Sequence, residues 1–213
     1  MIRLIVADDQ ELVREGMAAI LEAEVDIEVV GSAADGAEAL GLVHAVQPDV
    51  ALMDIRMPEV DGVEATRRIV EGGSSTRVLI LTTFATDANV VGALRAGASG
   101  FLLKDAPKSS LLAAVRAVAA GDALLNASVL DRLVHDHLDE SRERAPLPGL
   151  ERLTTREREI LALVGAGLSN DQIATQVFLS SNTVKTHVAR TIAKLGARDR
   201  IHLVILAHTH GLA

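Results

Sequence analysis

Cysteine is absent from the 213 residues, which excludes disulfides and thiolate metal sites. Tryptophan and tyrosine are absent too, which removes the usual intrinsic-fluorescence report of metal binding. No run of eighteen apolar residues occurs, so no membrane-spanning helix is expected. The opening stretch, Met1 to Val6, lacks a long apolar core and a small-residue cleavage site, and acids follow at Asp8 and Asp9. A secretory signal is therefore not expected, and a soluble cytoplasmic protein is. No P-loop pattern is present, and Gly31-Ser32-Ala33-Ala34-Asp35-Gly36 lacks the Gly-x-Gly spacing of a dinucleotide fingerprint. Lysine is scarce: Lys104, Lys108, Lys185 and Lys194 are the whole set in a chain that otherwise uses arginine. Each raises the question of why a compact ammonium stands there.

What is present points to two domains. The length suits two, and an apolar content of 49% supports real cores. The net charge of −8 is unevenly spread. Residues 1–121 carry 10 basic and 18 acidic side chains, whereas residues 151–213 carry 8 basic and 5 acidic. An acidic first part and a basic last part suggest that only the tail meets a polyanion.

The first part alternates apolar strands with amphipathic helices. Strands are expected at 2–7, Ile27–Val30 (closed by Gly31), Val50–Met53, Val78–Leu81 and Gly100–Leu103. Helices are expected after Asp9, with Leu12, Val13, Met17, Ile20 and Leu21 on one side, and at 35–46, 62–71, 87–96 and from Pro107 to Gly121. Such alternation predicts a parallel sheet covered on both faces, with no information on strand order. Residues 122–148 read as a linker, with a short helix expected over 127–138 and Pro146-Leu147-Pro148-Gly149 breaking regular structure. From Leu153 the chain is helical. Thr154-Thr155-Arg156-Glu157 is a capping box, Ser169-Asn170-Asp171-Gln172 a second capping signal, and further helices are expected near Ser181–Leu195 and Arg198–Ala207.

Asp54 ends an apolar run that reads as a strand buried on both faces. Asp8, Asp9, Thr82 and Lys104 also stand at strand carboxyl ends, which a parallel sheet gathers at one edge, where ligands bind. Three carboxylates together repel one another, and a divalent cation plus an ammonium compensates. Oxygen-only ligation favours Mg²⁺ over zinc. The combination suits phosphoryl transfer to a carboxylate oxygen of Asp54. Mg²⁺ would be held by Asp8 or Asp9 together with Asp54, Lys104 would supply a second cation and Thr82 a hydrogen bond. A small-molecule phosphatase is disfavoured, because Arg56 stands where its acid/base residue would be, two places after the nucleophile.

This set of Asp8-Asp9, Asp54-x-x-Met57-Pro58 with Asp61-Gly62, Thr82 and Lys104 resembles the receiver domain of bacterial two-component response regulators, over residues 1–121. The resemblance implies a flavodoxin-like (βα)₅ fold and phosphorylation of Asp54 by a sensor histidine kinase. It also implies Mg²⁺ bound by two carboxylates and the Arg56 main-chain carbonyl, with Phe101 as the switch aromatic. Thr83 departs from the small residue common there, and Arg56 and Phe84 are expected to flank the site and slow hydrolysis of the phosphoaspartate.

In the third tail helix Val184, Val188, Ile192 and Leu195 form an inward stripe, leaving Asn182, Thr186, Ala189, Arg190 and Ala193 on the other side with Lys185 at its border. A basic, hydroxyl-bearing helix of this kind suits a DNA major groove. His202, His208 and His210 share no helical face and are expected to be solvated rather than metal ligands; His187 is not expected to be a ligand either. Leu153-Thr154-x-Arg156-Glu157, Gly167-Leu168-Ser169-Asn170 and Thr183-Val184-Lys185-Thr186-His187 resemble the four-helix LuxR-type helix-turn-helix, over residues 149–213. The resemblance implies base-facing Lys185, Thr186 and Ala189, with Asn182 and Arg190 nearer the backbone of double-stranded DNA. It implies dimerisation through Ile201, Val204 and Ile205. Together the halves resemble a response regulator of the NarL/FixJ type. The expected protein is a phosphorylation-gated transcription factor, not an enzyme, that dimerises when phosphorylated and binds a half-site repeat. The surface near residues 86–106 is its expected bistable element.

Overall fold

The structure is a computed structural model that describes residues 1–83, 88–122 and 147–212. The chain divides into two compact units, Met1–Leu124 and Leu125–Ala213. Phe84 and the short helix expected over 127–138 lie outside the described residues.

The first unit is an α/β layer structure. Its strands are β1 (Ile2–Ala7), β2 (Ile27–Ala33), β3 (Val50–Asp54), β4 (Arg77–Thr82) and β5 (Gly100–Leu103). They alternate with α1 (Glu11–Glu22), α2 (Gly36–Val46), α3 (Gly62–Glu71), α4 (Ala88–Ala96) and α5 (Lys108–Ala119). All neighbouring strands are parallel, in the order β2-β1-β3-β4-β5. This flavodoxin-like order has its switch point between β1 and β3, where connections leave in opposite directions and open a crevice at the strand carboxyl ends.

β3 is buried at every residue, as an apolar run without alternation requires. Side chains alternate between the faces. Leu4, Val6, Leu52, Leu79 and Leu81 pack on one face against Leu21 of α1 and Leu111, Val115 and Val118 of α5. Ile5, Ala51, Met53 and Ile80 are fully buried on the other, where α2 packs on β1 and α4 on β4.

Two differences from expectation concern this unit. Gly31 does not close β2; the strand runs through it to Ala33, with a register shift between Leu4 and Ile5 that skips Val30. A β-carbon at Gly31 would meet the Leu42 methyls of α2 at 3.1 Å, so the glycine serves helix packing rather than termination. Leu12 is 83% exposed. At 100° per residue it lies about 140° around α1 from Met17, off the stripe formed by Met17, Ile20 and Leu21.

The second unit is all-α: a 3₁₀ turn (Leu150–Arg152), then α6 (Thr155–Gly165), α7 (Asn170–Val177), α8 (Ser181–Leu195) and α9 (Arg200–Thr209). Both expected capping boxes form: Thr154 with Glu157, and Ser169 with Gln172. Ser180 and Asp199 cap α8 and α9 through the amides of Thr183 and His202. α9 starts two residues later than expected, because Asp199 serves as cap rather than as helix. Ile160, Leu161, Ile173, Val184, Val188, Leu203 and Val204 share one core, with Ile192 and Leu195 packed against it.

Candidate functional site

The sheet register assembles the site. Ala7 pairs with Met53, so Asp8 follows β1 at the level of Asp54 on β3. Thr82 pairs with Leu103, so Lys104 follows β5 beside the end of β4. Lys104 N–H then donates to the Thr82 carbonyl at 2.8 Å. Five residues distant in sequence thus reach one edge of the sheet.

The loop after β3 folds back on the strand. Gly62 N–H donates to the Ile55 carbonyl at 2.9 Å, and a β-carbon at Gly62 would lie 2.0 Å from the Asp54 carbonyl oxygen. Only glycine permits this approach. Asp61 then starts α3 by accepting the Glu64 amide. Gly36 makes a similar approach to the Val60 carbonyl, bracing the far side of the loop.

Lys104 Nζ lies 2.7 Å from Asp8 Oδ2 and 3.0 Å from Asp54 Oδ2. Asp54 Oδ1 accepts the Ile55 amide at 2.9 Å, and Asp8 Oδ1 the Gln10 amide at 3.0 Å. Asp8 and Asp54 are buried, while Asp9 is exposed. Burial lifts the Asp54 carboxyl above its ordinary range, against the pull of Lys104. For Lys104, burial alone would lower its pKa, but the Asp8 and Asp54 carboxylates outweigh it and hold the ammonium above its ordinary value. A cleft of about 310 Å³ opens here, lined by Asp9, Asp54, Arg56, Thr82, Thr83 and Lys104, with Gln10 and Ile55 beside them.

Among the described residues, Asp8, Asp9 and Asp54 are the group able to hold a metal ion, each offering one carboxylate oxygen within 4.8 Å of the others. Asp8 Oδ2 is buried, with the Lys104 ammonium at 2.7 Å as its sole partner among the described residues. An all-oxygen acidic pocket with an unsatisfied buried lone pair fits a hard divalent cation. Phe101 pairs with Ile80 in the sheet and is 8% exposed.

On α8 the candidate contacts separate from the core. Asn182, Lys185, Thr186, Ala189 and Arg190 are exposed, opposite buried Val184 and Val188. The Thr186 hydroxyl donates back to the Asn182 carbonyl at 3.0 Å.

Of the residues expected to dimerise, Ile201 and Val204 are buried, Val204 in the core of the unit, and Ile205 is half-buried. His202, His208 and His210 are half-buried. His202 Nδ1 accepts the Arg198 amide at 3.1 Å, and burial holds its pKa below the ordinary value. His208 Nε2 lies 2.8 Å from the Gly165 carbonyl.

Two polar ties had no local signal. Buried Glu157 accepts from Lys194 Nζ at 2.6 and 2.9 Å, joining α6 to α8. Buried Arg200 donates to Asn170 Oδ1 at 2.7 Å, joining α9 to α7. The scarcity of lysine was a weak signal for the first tie, and nothing in the sequence pointed to the second.

Residues 4–116 match the response regulator receiver domain, and residues 151–207 the bacterial regulatory proteins of the luxR family. The chain is 41% identical to the transcriptional regulatory protein LiaR of Bacillus subtilis, over 100% of this chain and 99% of that one. It is 39% identical to the response regulator VraR of Staphylococcus aureus, over 99% and 98%. Among solved structures, the response regulator ChrA of a heme-sensing two-component system matches with a TM-score of 0.54 and 39% identity, covering 100% of this chain and 98% of that one.

Proposed function

The chain belongs to the response regulators that carry a receiver domain and a LuxR-type DNA-binding domain, and on that premise we propose how its own residues perform phosphorylation-gated transcriptional control. The family consists of transcriptional regulators, not enzymes; its receiver implies a histidine kinase partner and its tail implies DNA. The domains we assign are residues 1–121 for the receiver, 122–148 for the linker and 149–213 for the DNA-binding part.

Asp54 is the acceptor. A carboxylate oxygen attacks the phosphorus of a phosphohistidine, the P–N bond breaks, the imidazole leaves and takes up a proton, and an acyl phosphate forms. Lys104, already 3.0 Å from Asp54 Oδ2, pairs with the transferred group, and the Thr82 hydroxyl donates to it. Asp8 and Asp9, with Asp54 and the Arg56 carbonyl, would hold the Mg²⁺ that receivers bind in their acidic pocket. When bound, that ion supplies positive charge that favours ionised Asp54 and neutralises phosphoryl oxygens. The exposed Thr83 and Arg56 beside the cleft set water access. The transferred charge draws Thr82 inward, and Phe101 repacks in response. DNA recognition falls to Lys185, Thr186 and Ala189, with Asn182 and Arg190 at the backbone, on paired half-sites read by two copies in the cytoplasm. Pairing is assigned to α9 through Ile201, Val204 and Ile205, of which Ile205 keeps partial exposure.

The observation that carries this reading is the Asp8–Lys104–Asp54 cluster at the switch point of the sheet. The test is intact mass after incubation with acetyl phosphate and Mg²⁺. Wild type is expected to gain one phosphoryl group and Asp54→Ala none, and the phosphorylated form is expected to bind DNA more tightly. An adduct on Asp54→Ala, or none on wild type with phosphoramidate also failing, would sink the acceptor assignment.

A further inference from the structure

Phe178 is the side chain of the second unit that the fold does least to explain. It caps the C-terminus of α7 in the left-handed region, at φ 54, with its N–H on the Ala174 carbonyl. A β-carbon is strained there. The same unit uses glycine at its other left-handed positions, Gly149, Gly167, Gly196 and Gly211. Phe178 is the one non-glycine at positive φ among the described residues of this unit. Burial does not compensate, because the ring is 94% exposed. Glycine would suit the backbone, yet a large apolar side chain stands in water.

Its place in the fold suggests what the ring meets. Ser180, two residues on, caps α8 through the Thr183 amide at 3.1 Å. Exposed Asn182, Lys185 and Thr186 follow on the first turns. The turn is tied on both sides of the ring: Leu179 N–H donates to the Ala174 carbonyl at 3.0 Å, and the Arg156 guanidinium donates to the Val177 carbonyl. A recognition helix points its N-terminal residues at base edges, so the turn just before it lies against the wall of the groove. Deoxyribose faces and thymine methyl groups are the apolar surfaces there.

We propose that Phe178 is a DNA-contacting residue whose ring packs on sugar and thymine-methyl surface at the edge of the groove entered by α8. The inference rests on the DNA-binding reading above. It assigns an affinity contribution that is apolar and independent of salt, beside the ionic one of Lys185.

The test uses the full chain treated with acetyl phosphate and Mg²⁺, and a duplex that the wild type enriches from a random-sequence pool. Affinity is measured across a salt series for wild type, Phe178→Gly, Phe178→Asn and Lys185→Ala, with thermal unfolding followed by circular dichroism. Both Phe178 variants tolerate the left-handed backbone, so their Tm is expected to equal or exceed that of wild type. Their affinity is expected to fall about tenfold with the salt slope unchanged. Lys185→Ala is expected to reduce the slope by about one. Failure of the wild type to enrich any duplex would overturn the DNA reading and this inference with it. An enriched duplex bound equally by wild type and both Phe178 variants would overturn the inference alone. Weakening by Phe178→Gly but not Phe178→Asn would overturn it too, by assigning the effect to a loosened turn. Equal DNA affinity with lost self-association would place a second copy of the chain on the ring instead.

Discussion

The two units handle charge in opposite ways. The receiver buries two carboxylates, Asp8 and Asp54, against one ammonium, and gives Asp8 Oδ2 no other partner among the described residues. Among its described residues, the DNA-binding unit buries charge only in ties that hold helices together, Glu157 to Lys194 and Arg200 to Asn170. Its candidate contacts all face solvent. The difference follows from the tasks. Group transfer needs charges held in fixed positions with little water to screen them. Reading a polyanion needs charges that can exchange water and counterions for phosphates and bases. A buried, incompletely satisfied cluster therefore marks chemistry here, and a fully satisfied one marks architecture.

Three substitutions probe that contrast. The largest effect is expected from Gly62→Ala. Its β-carbon would overlap the Asp54 carbonyl oxygen, 2.0 Å away, so the loop and the end of β3 must shift, at a cost of about 3 kcal/mol. Calorimetry of the full chain should show a lowered transition for the receiver and an unchanged one for the second unit. A single shifted transition would show that the units do not unfold independently.

Glu157→Gln should weaken the second unit by about 2 kcal/mol at neutral pH, the scale of a hydrogen bond to a charged group. Hydrogen bonds from Lys194 and Thr154 hold the Glu157 carboxyl down from 4.5 to about 2. A depressed acid adds stability above its unfolded pKa and loses it as pH falls through the folded one. Wild-type stability should thus decline between about pH 4.5 and 2, and the variant should lack that limb when followed by circular dichroism. An identical acid limb would mean that the tie is screened by solvent.

Asp8→Asn should act on ion binding more than on folding. It removes a carboxylate from the three that lie within 4.8 Å, and Mg²⁺ affinity should fall at least tenfold, the loss seen even for outer-sphere partners. The Mg²⁺-dependent rise in receiver Tm reads this directly. An undiminished rise would move the ion away from Asp8.

Much of this was legible in sequence because it depends on neighbours. Alternating apolar runs marked five strands and their helices, and the capping boxes at Thr154 and Ser169 marked helix starts. The five strand-end residues of the cleft were readable because a parallel sheet sends every carboxyl end to one edge. The exposed face of α8 followed from its 3.6-residue period. Misreadings arose where a pattern was stretched or a distant partner decided. Leu12 is apolar like the stripe of α1 but is rotated away from it. Gly31 reads locally as a stop, whereas Leu42 on another element needs its missing β-carbon.

Which segments are strands or helices, the caps at Thr154 and Ser169, and the five strand-end residues of the site follow from dihedral preference and periodicity over a few residues. Tertiary structure alone decided the order β2-β1-β3-β4-β5, the register that sets Asp8 level with Asp54, the burial of Ile201 and Val204, and the exposure of Phe178. Each of those depends on which surfaces meet across long sequence separations, and no local pattern encodes that.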